Sequence, residues 1–204
     1  MTARRVILLH GLWMRPASLA LLASRLRTAG YAPELLGYST VRGGPARAIP
    51  ALAELAARAP CHVVAHSLGG LVALTALEQH PHLPVQRVVC LGSPLCGSAA
   101  AEGVARLPVL GRFLGDSREL LRSGCRPWRG EASVGMVAGS RPLGLGQFLG
   151  RFDGPCDGTV AVSETRLAGL ADHVVLPASH TGLAFSPQVA RQVAAFLRDG
   201  RFDH

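Results

Sequence analysis

The stretch 61-CHVVAHSLGGLVAL-74 decides how the chain is read. Residues 61–65 form an apolar run with the length and composition of a buried parallel strand. Ser67 follows, then Gly69 and Gly70, and residues 68–79 read as a helix. Strand, sharp turn and helix make a nucleophile elbow, with the serine at the apex of a strained turn. The positions two before and two after the serine must be small, because strand and helix pack closely there. Gly69 meets that need, and Ala65 adds one methyl where the motif has Gly. Taken alone, the stretch also fits a serine that caps a helix.

On either side of this stretch, strand and helix signals alternate. Residues 6–9 are a short apolar run that ends at His10-Gly11. Pro16 opens a helix to about residue 28, with Leu19, Leu22, Leu26 and Ala29 at helical spacing and Gly30 as its stop. A second strand is expected over 32–36 and a helix over 45–59 carrying Ile49, Leu52 and Leu55. Further strands are expected over 85–91, 134–138 and 173–176. Ser186-Pro187 starts a last helix with Val189, Val193, Phe196 and Leu197 on one face. This order predicts an α/β fold: a mostly parallel sheet of about six strands with helices on both faces. A length of 204 residues fits a single domain over 1–204. The long segment 98–130 is expected to form a small cap or lid excursion; the plainer reading is a helical excursion on the sheet face.

Composition excludes several classes. No apolar run approaches the ~20 residues of a membrane span. The run at 6–9 is too short for the core of a secretory leader, so a cytoplasmic chain is expected. The five cysteines are odd in number and contain no CxxC pair, which argues against a disulfide framework or a zinc site. The net charge of +8 comes entirely from arginines scattered along the chain, without a basic block, so no nucleic-acid partner is expected.

Three further motifs supply partners for Ser67. In 7-ILLHGLWM-14, a strand ends in His10-Gly11 and the next N–H, that of Leu12, is placed to bind an oxyanion. Leu68, at the start of the helix after Ser67, is the second expected donor. Trp13 and Met14 are candidates to line an acyl pocket, and His10 is expected to be buried and to orient the loop. In 152-FDGPCDGTVAV-162, Asp157 lies in a turn and is the preferred acidic partner, with Asp153 and Asp172 as rivals. In 174-VVLPASHTGLAFSP-187, His180 follows the sixth strand and is the preferred base. His66 precedes Ser67, so its ring is expected to turn away from the serine, though it stands with Ser93 among the pocket candidates. The order Ser67, Asp157, His180 is one of three known for such triads.

On His10-Gly11-Leu12, Ala65-His66-Ser67-Leu68-Gly69-Gly70, Gly92-Ser93-Pro94, Asp157-Gly158-Thr159-Val160 and His180, the chain resembles the small α/β-hydrolases related to bacterial triacylglycerol lipases and esterases. The likeness spans nearly the whole chain. It implies a cofactor-free serine hydrolase that cleaves a small-molecule or lipid carboxylic ester, with transient contact to a lipid interface. The calcium site of larger lipases has no clear counterpart, and no metal is expected. Acyltransferases and thioesterases share the same acyl-enzyme and stay open as alternatives, as does a non-catalytic binding protein on this scaffold.

Overall fold

Aliphatic runs form the strands, and the residues between them wrap back as helices. The computed structural model describes residues 3–40, 43–105, 112–143 and 154–204. Its elements are β1 (Arg5–Leu9), α1 (Ala20–Thr28), β2 (Ala32–Leu36), α2 (Gly44–Ala56), β3 (Cys61–His66), α3 (Leu68–Gln79), β4 (Val85–Leu91), α4 (Ala99–Ala105), α5 (Arg118–Ser123), β5 (Ser133–Gly139), β6 (Asp172–Leu176), α6 (Gly182–Phe185) and α7 (Pro187–Asp199). The strands form one sheet in the order β2-β1-β3-β4-β5-β6, and every neighbouring pair is parallel.

A parallel sheet covered on both faces has strands that read as unbroken apolar runs. Alternation returns in the packing. Ile7, Leu9, Val63, Ala65, Val88 and Cys90 face a layer built with α2 and α3. Val6, Leu8, Val64, Val89 and Leu91 face a layer built with α1 and α7. Helix α7 buries Val189, Val193, Phe196 and Leu197 as one stripe. The Val189 N–H donates to Ser186 Oγ at 3.3 Å, which caps its start.

Two helices differ from expectation. Residues 16–28 are not one helix: Pro16–Leu19 is a 3-10 turn that leads into α1. The second helix stops at Ala56 rather than 59, because the Arg58 N–H bonds the Leu55 carbonyl three residues back and tightens the last turn. The described part of the 98–130 excursion holds α4, a 3-10 segment Arg112–Ser117 and α5. Its Leu114, Leu121 and Trp128 are buried in the same layer as α2 and α3. Residues 106–111 lie outside the described residues.

Because all strands run one way, their carboxyl ends lie along a single edge of the sheet. The loops after β1, β3, β4, β5 and β6 therefore gather there, which is where such sheets place their sites.

Candidate active site

Ser67 occupies the turn between β3 and α3 at φ 55° and ψ −123°. A non-glycine residue there is strained, and it persists only where its surroundings over-determine it. The Ser67 N–H donates to the Leu91 carbonyl at 2.9 Å, and the Gly70 N–H donates to the Ser67 carbonyl at 3.0 Å. The Ser67 side chain makes no capping bond to α3. Its hydroxyl instead lies 3.0 Å from His180 Nε2. A Cβ on Gly69 would stand 2.9 Å from the Leu9 carbonyl oxygen and 3.0 Å from that of His10. Only glycine lets α3 approach β1 this closely.

His180 is held from every side. Its Nδ1–H donates to Asp157 Oδ2 at 2.7 Å, and its main-chain N–H donates to the Asp157 carbonyl at 2.8 Å. Asp157 is 1% exposed. Its other carboxylate oxygen, Oδ1, accepts the N–H groups of Thr159 at 2.9 Å and Val160 at 2.7 Å. One oxygen is thus tied to the backbone while the other faces the histidine. The structure brings Ser67, His180 and Asp157 into one hydrogen-bonded line. Asp172 lies elsewhere, accepting from the Phe202 N–H and paired with His204, and Asp153 lies outside the described residues.

Residues 11–14 form a turn closed by the Met14 N–H on the Gly11 carbonyl at 3.3 Å. A Cβ on Gly11 would stand 2.8 Å from Ser67 Cβ, so glycine is needed for this turn to lie against the serine. Leu12 follows it directly, and Leu68 opens α3, where the first N–H groups have no intrahelical acceptor. Among the described residues, no protein group accepts from either N–H. Trp13 is 56% exposed and Met14 half-buried beside this turn. His10 is buried, stacks on Tyr38 with ring centroids 4.6 Å apart, and its carbonyl accepts the Tyr38 hydroxyl at 2.7 Å. Burial lowers the His10 pKa, with bonding to the Gly11 and Tyr38 backbone opposing it.

Two pocket candidates are corrected. The His66 ring is buried and does not turn away from the site: its Nε2–H donates to the His180 carbonyl at 2.8 Å. The two histidine rings lie 4.8 Å apart. Ser93, a candidate to line the pocket, is fully buried. It lies under α3, where a Cβ on Gly70 would overlap it. Two glycines at strand ends pack against Asp157: Gly92, quoted above only within Gly92-Ser93-Pro94, and Gly139, which the sequence did not single out. A Cβ on Gly92, at φ 54°, would stand 2.9 Å from Asp157 Oδ2, and one on Gly139 would be 2.7 Å from Asp157 Cβ. Their only sequence signal is a position at a strand end.

Buried histidines make the fold sensitive to acid. Burial first, and then the neighbouring His180, pushes the His66 pKa down to about 3. Burial, and then Arg87, pushes that of His62 down to about 4. Both lie below the ~6.5 of an unfolded histidine. As pH falls from ~6.5 toward ~4, the unfolded chain takes up these protons and the folded chain does not. Each site then removes about 1.4 kcal/mol of stability per pH unit. The urea midpoint is expected to drop between about pH 7 and about pH 5, with a shallower drop in His62→Leu. An unchanged midpoint over that range contradicts two rings buried in the neutral state.

Residues 6–201 match the model of a family described as the alpha/beta hydrolase family. The chain belongs to the alpha/beta hydrolase family. This alpha/beta hydrolase is similar in fold to a lipase from Bacillus licheniformis in its mature form, at 20% identity and a TM-score of 0.69 over 97% of this chain and 91% of that one. It is also similar to a pyrethroid hydrolase from Sphingobium faniae JZ-2, at 20% identity and a TM-score of 0.62 over 97% and 98%. A metagenomic carboxyl esterase matches at 19% identity and a TM-score of 0.67 over 88% and 65%. No curated protein matches the chain by sequence. Among the described residues, no helix of this alpha/beta hydrolase is long and apolar enough to cross a membrane.

Proposed function

We infer that this alpha/beta hydrolase cleaves carboxylic esters through an acyl-enzyme on Ser67. The observation that carries the reading is the unbroken line from Asp157 Oδ2 through His180 to Ser67 Oγ, with links of 2.7 and 3.0 Å. His180 Nε2 takes the hydroxyl proton as Ser67 Oγ attacks the ester carbonyl. The Leu12 and Leu68 N–H groups receive the developing oxyanion. Asp157 keeps the His180 proton on Nδ1, leaving Nε2 free to act as base, and stabilises the imidazolium that forms. His180 then protonates the leaving alcohol, and water attacks the acyl-enzyme by the same route. The reading places the reaction in the cytoplasm, a reducing compartment that suits the five free thiols. Its substrate is a small-molecule or lipid ester.

A chain-length series of p-nitrophenyl esters tests this. Turnover with one acid released per ester is expected, and a rate jump at the micellar threshold marks a lipid ester as the substrate class. Added alcohol separates hydrolysis from acyl transfer: a new ester as the main product overturns hydrolysis in favour of transfer. A folded protein inert toward the whole series contradicts the reading.

A further inference from the structure

We propose that Thr40 is a positioning residue for the turn that presents the Leu12 N–H, acting through a hydrogen bond from the Trp13 backbone. The proposal rests on the ester-hydrolase reading above. Trp13 is the third residue of the Gly11–Met14 turn and has φ 58°. Turns with positive φ at that place normally carry Gly or Asn there. The common alternative turn has negative φ at the same residue, and the two differ by a rotation of the central peptide through about half a circle. Here that central peptide joins Leu12 to Trp13, and its N–H belongs to Trp13. The Trp13 N–H donates to Thr40 Oγ1 at 3.1 Å. Rotating the peptide would carry this N–H away from Thr40, so the bond selects one turn over the other. The same rotation moves the backbone of Leu12, whose own N–H sits one peptide earlier.

Thr40 is itself fixed. It is 6% exposed, and its carbonyl accepts the hydroxyl of the fully buried Ser117 at 2.7 Å. Nearby, the Gly43 N–H donates to Asp116 Oδ2 at 2.8 Å. A Cβ on Gly44 would stand 3.1 Å from Ser117 Oγ. Residues 116 and 117, which end the 3-10 segment of the excursion, therefore hold the chain at Thr40 and again at Gly43 and Gly44. A continuous line of bonds runs from the excursion through Thr40 to the oxyanion turn. The described part of the excursion thus supports the geometry of the oxyanion turn through Thr40.

The test compares wild type, Thr40→Val and Thr40→Ser on one p-nitrophenyl ester. Valine keeps the shape of threonine but offers no acceptor to the Trp13 N–H. Thr40→Val is expected to lower kcat about 10- to 100-fold, the scale of a misplacement near 1 Å, with KM changed less than about threefold. Thr40→Ser is expected to restore kcat to within about threefold of wild type. Phenylboronic acid, which forms a tetrahedral anionic adduct on a reactive serine, should lose affinity in Thr40→Val by about the factor lost in kcat/KM. If the valine variant does not fold, Thr40→Ala carries the same expectation. A valine variant with wild-type kcat, a serine variant as slow as the valine one, or an unchanged boronate affinity overturns the proposal. An inactive wild type instead overturns the ester-hydrolase reading on which it rests.

Discussion

Ester turnover is expected to fall by about six orders of magnitude in Ser67→Ala, the scale seen when a triad nucleophile is removed. Ser67 sits at positive φ, makes no capping bond and directs its hydroxyl at His180 Nε2. Alanine removes the attacking oxygen and leaves His180 in place, because four other contacts hold that residue: two to Asp157, one to His66 and the ring packing. The fold should therefore survive, and near-wild-type thermal unfolding is the control. Ester binding should also survive, so the loss is expected in kcat. Substantial turnover by Ser67→Ala places the nucleophile elsewhere.

Asp157→Asn is expected to lower turnover about 10⁴-fold while leaving the geometry nearly unchanged. Asp157 Oδ1 accepts two backbone N–H groups, from Thr159 and Val160. An asparagine must keep its oxygen at that position, since its NH2 cannot accept. The NH2 is then forced toward His180 Nδ1. It donates to that nitrogen and selects the tautomer with the proton on Nε2, which cannot take the Ser67 proton. The two N–H groups thus turn a small change of atom into a change of tautomer. Steady-state kinetics across neutral pH check this. A loss of less than about tenfold contradicts a role for Asp157 in setting the tautomer.

Much of the fold was legible in the sequence, for a physical reason. Strands buried on both faces show as apolar runs, and Gly, Pro and Asp mark their ends, so β2, β4 and α3 have the expected bounds. Helix ends were less legible. A 3-10 turn and an α-helix share nearly the same apolar spacing, so the break at Leu19 left no signal. The three residues of the hydrogen-bonded line were legible because each follows a strand in a fixed order. The direction of His66 was not. Alternation puts His66 on the same face as Val64, and the 178–183 loop packs on that face through Ala178 and Leu183. The loop brings His180 over the ring, a contact 114 residues away in sequence. The crowding at Gly92 and Gly139 was illegible for the same reason, since it comes from distant loops: Leu183 and Asp157 at Gly92, and Ala178 and Asp157 at Gly139.

The central claim is that Ser67 is the group that becomes acylated. Covalent labelling of the folded protein with a fluorophosphonate, followed by peptide mass spectrometry, tests it most directly. The account predicts a single adduct on Ser67, absent in Ser67→Ala and slow to form in Asp157→Asn. A folded protein that stays unlabelled, or that carries its adduct on another residue with Ser67 intact, contradicts it.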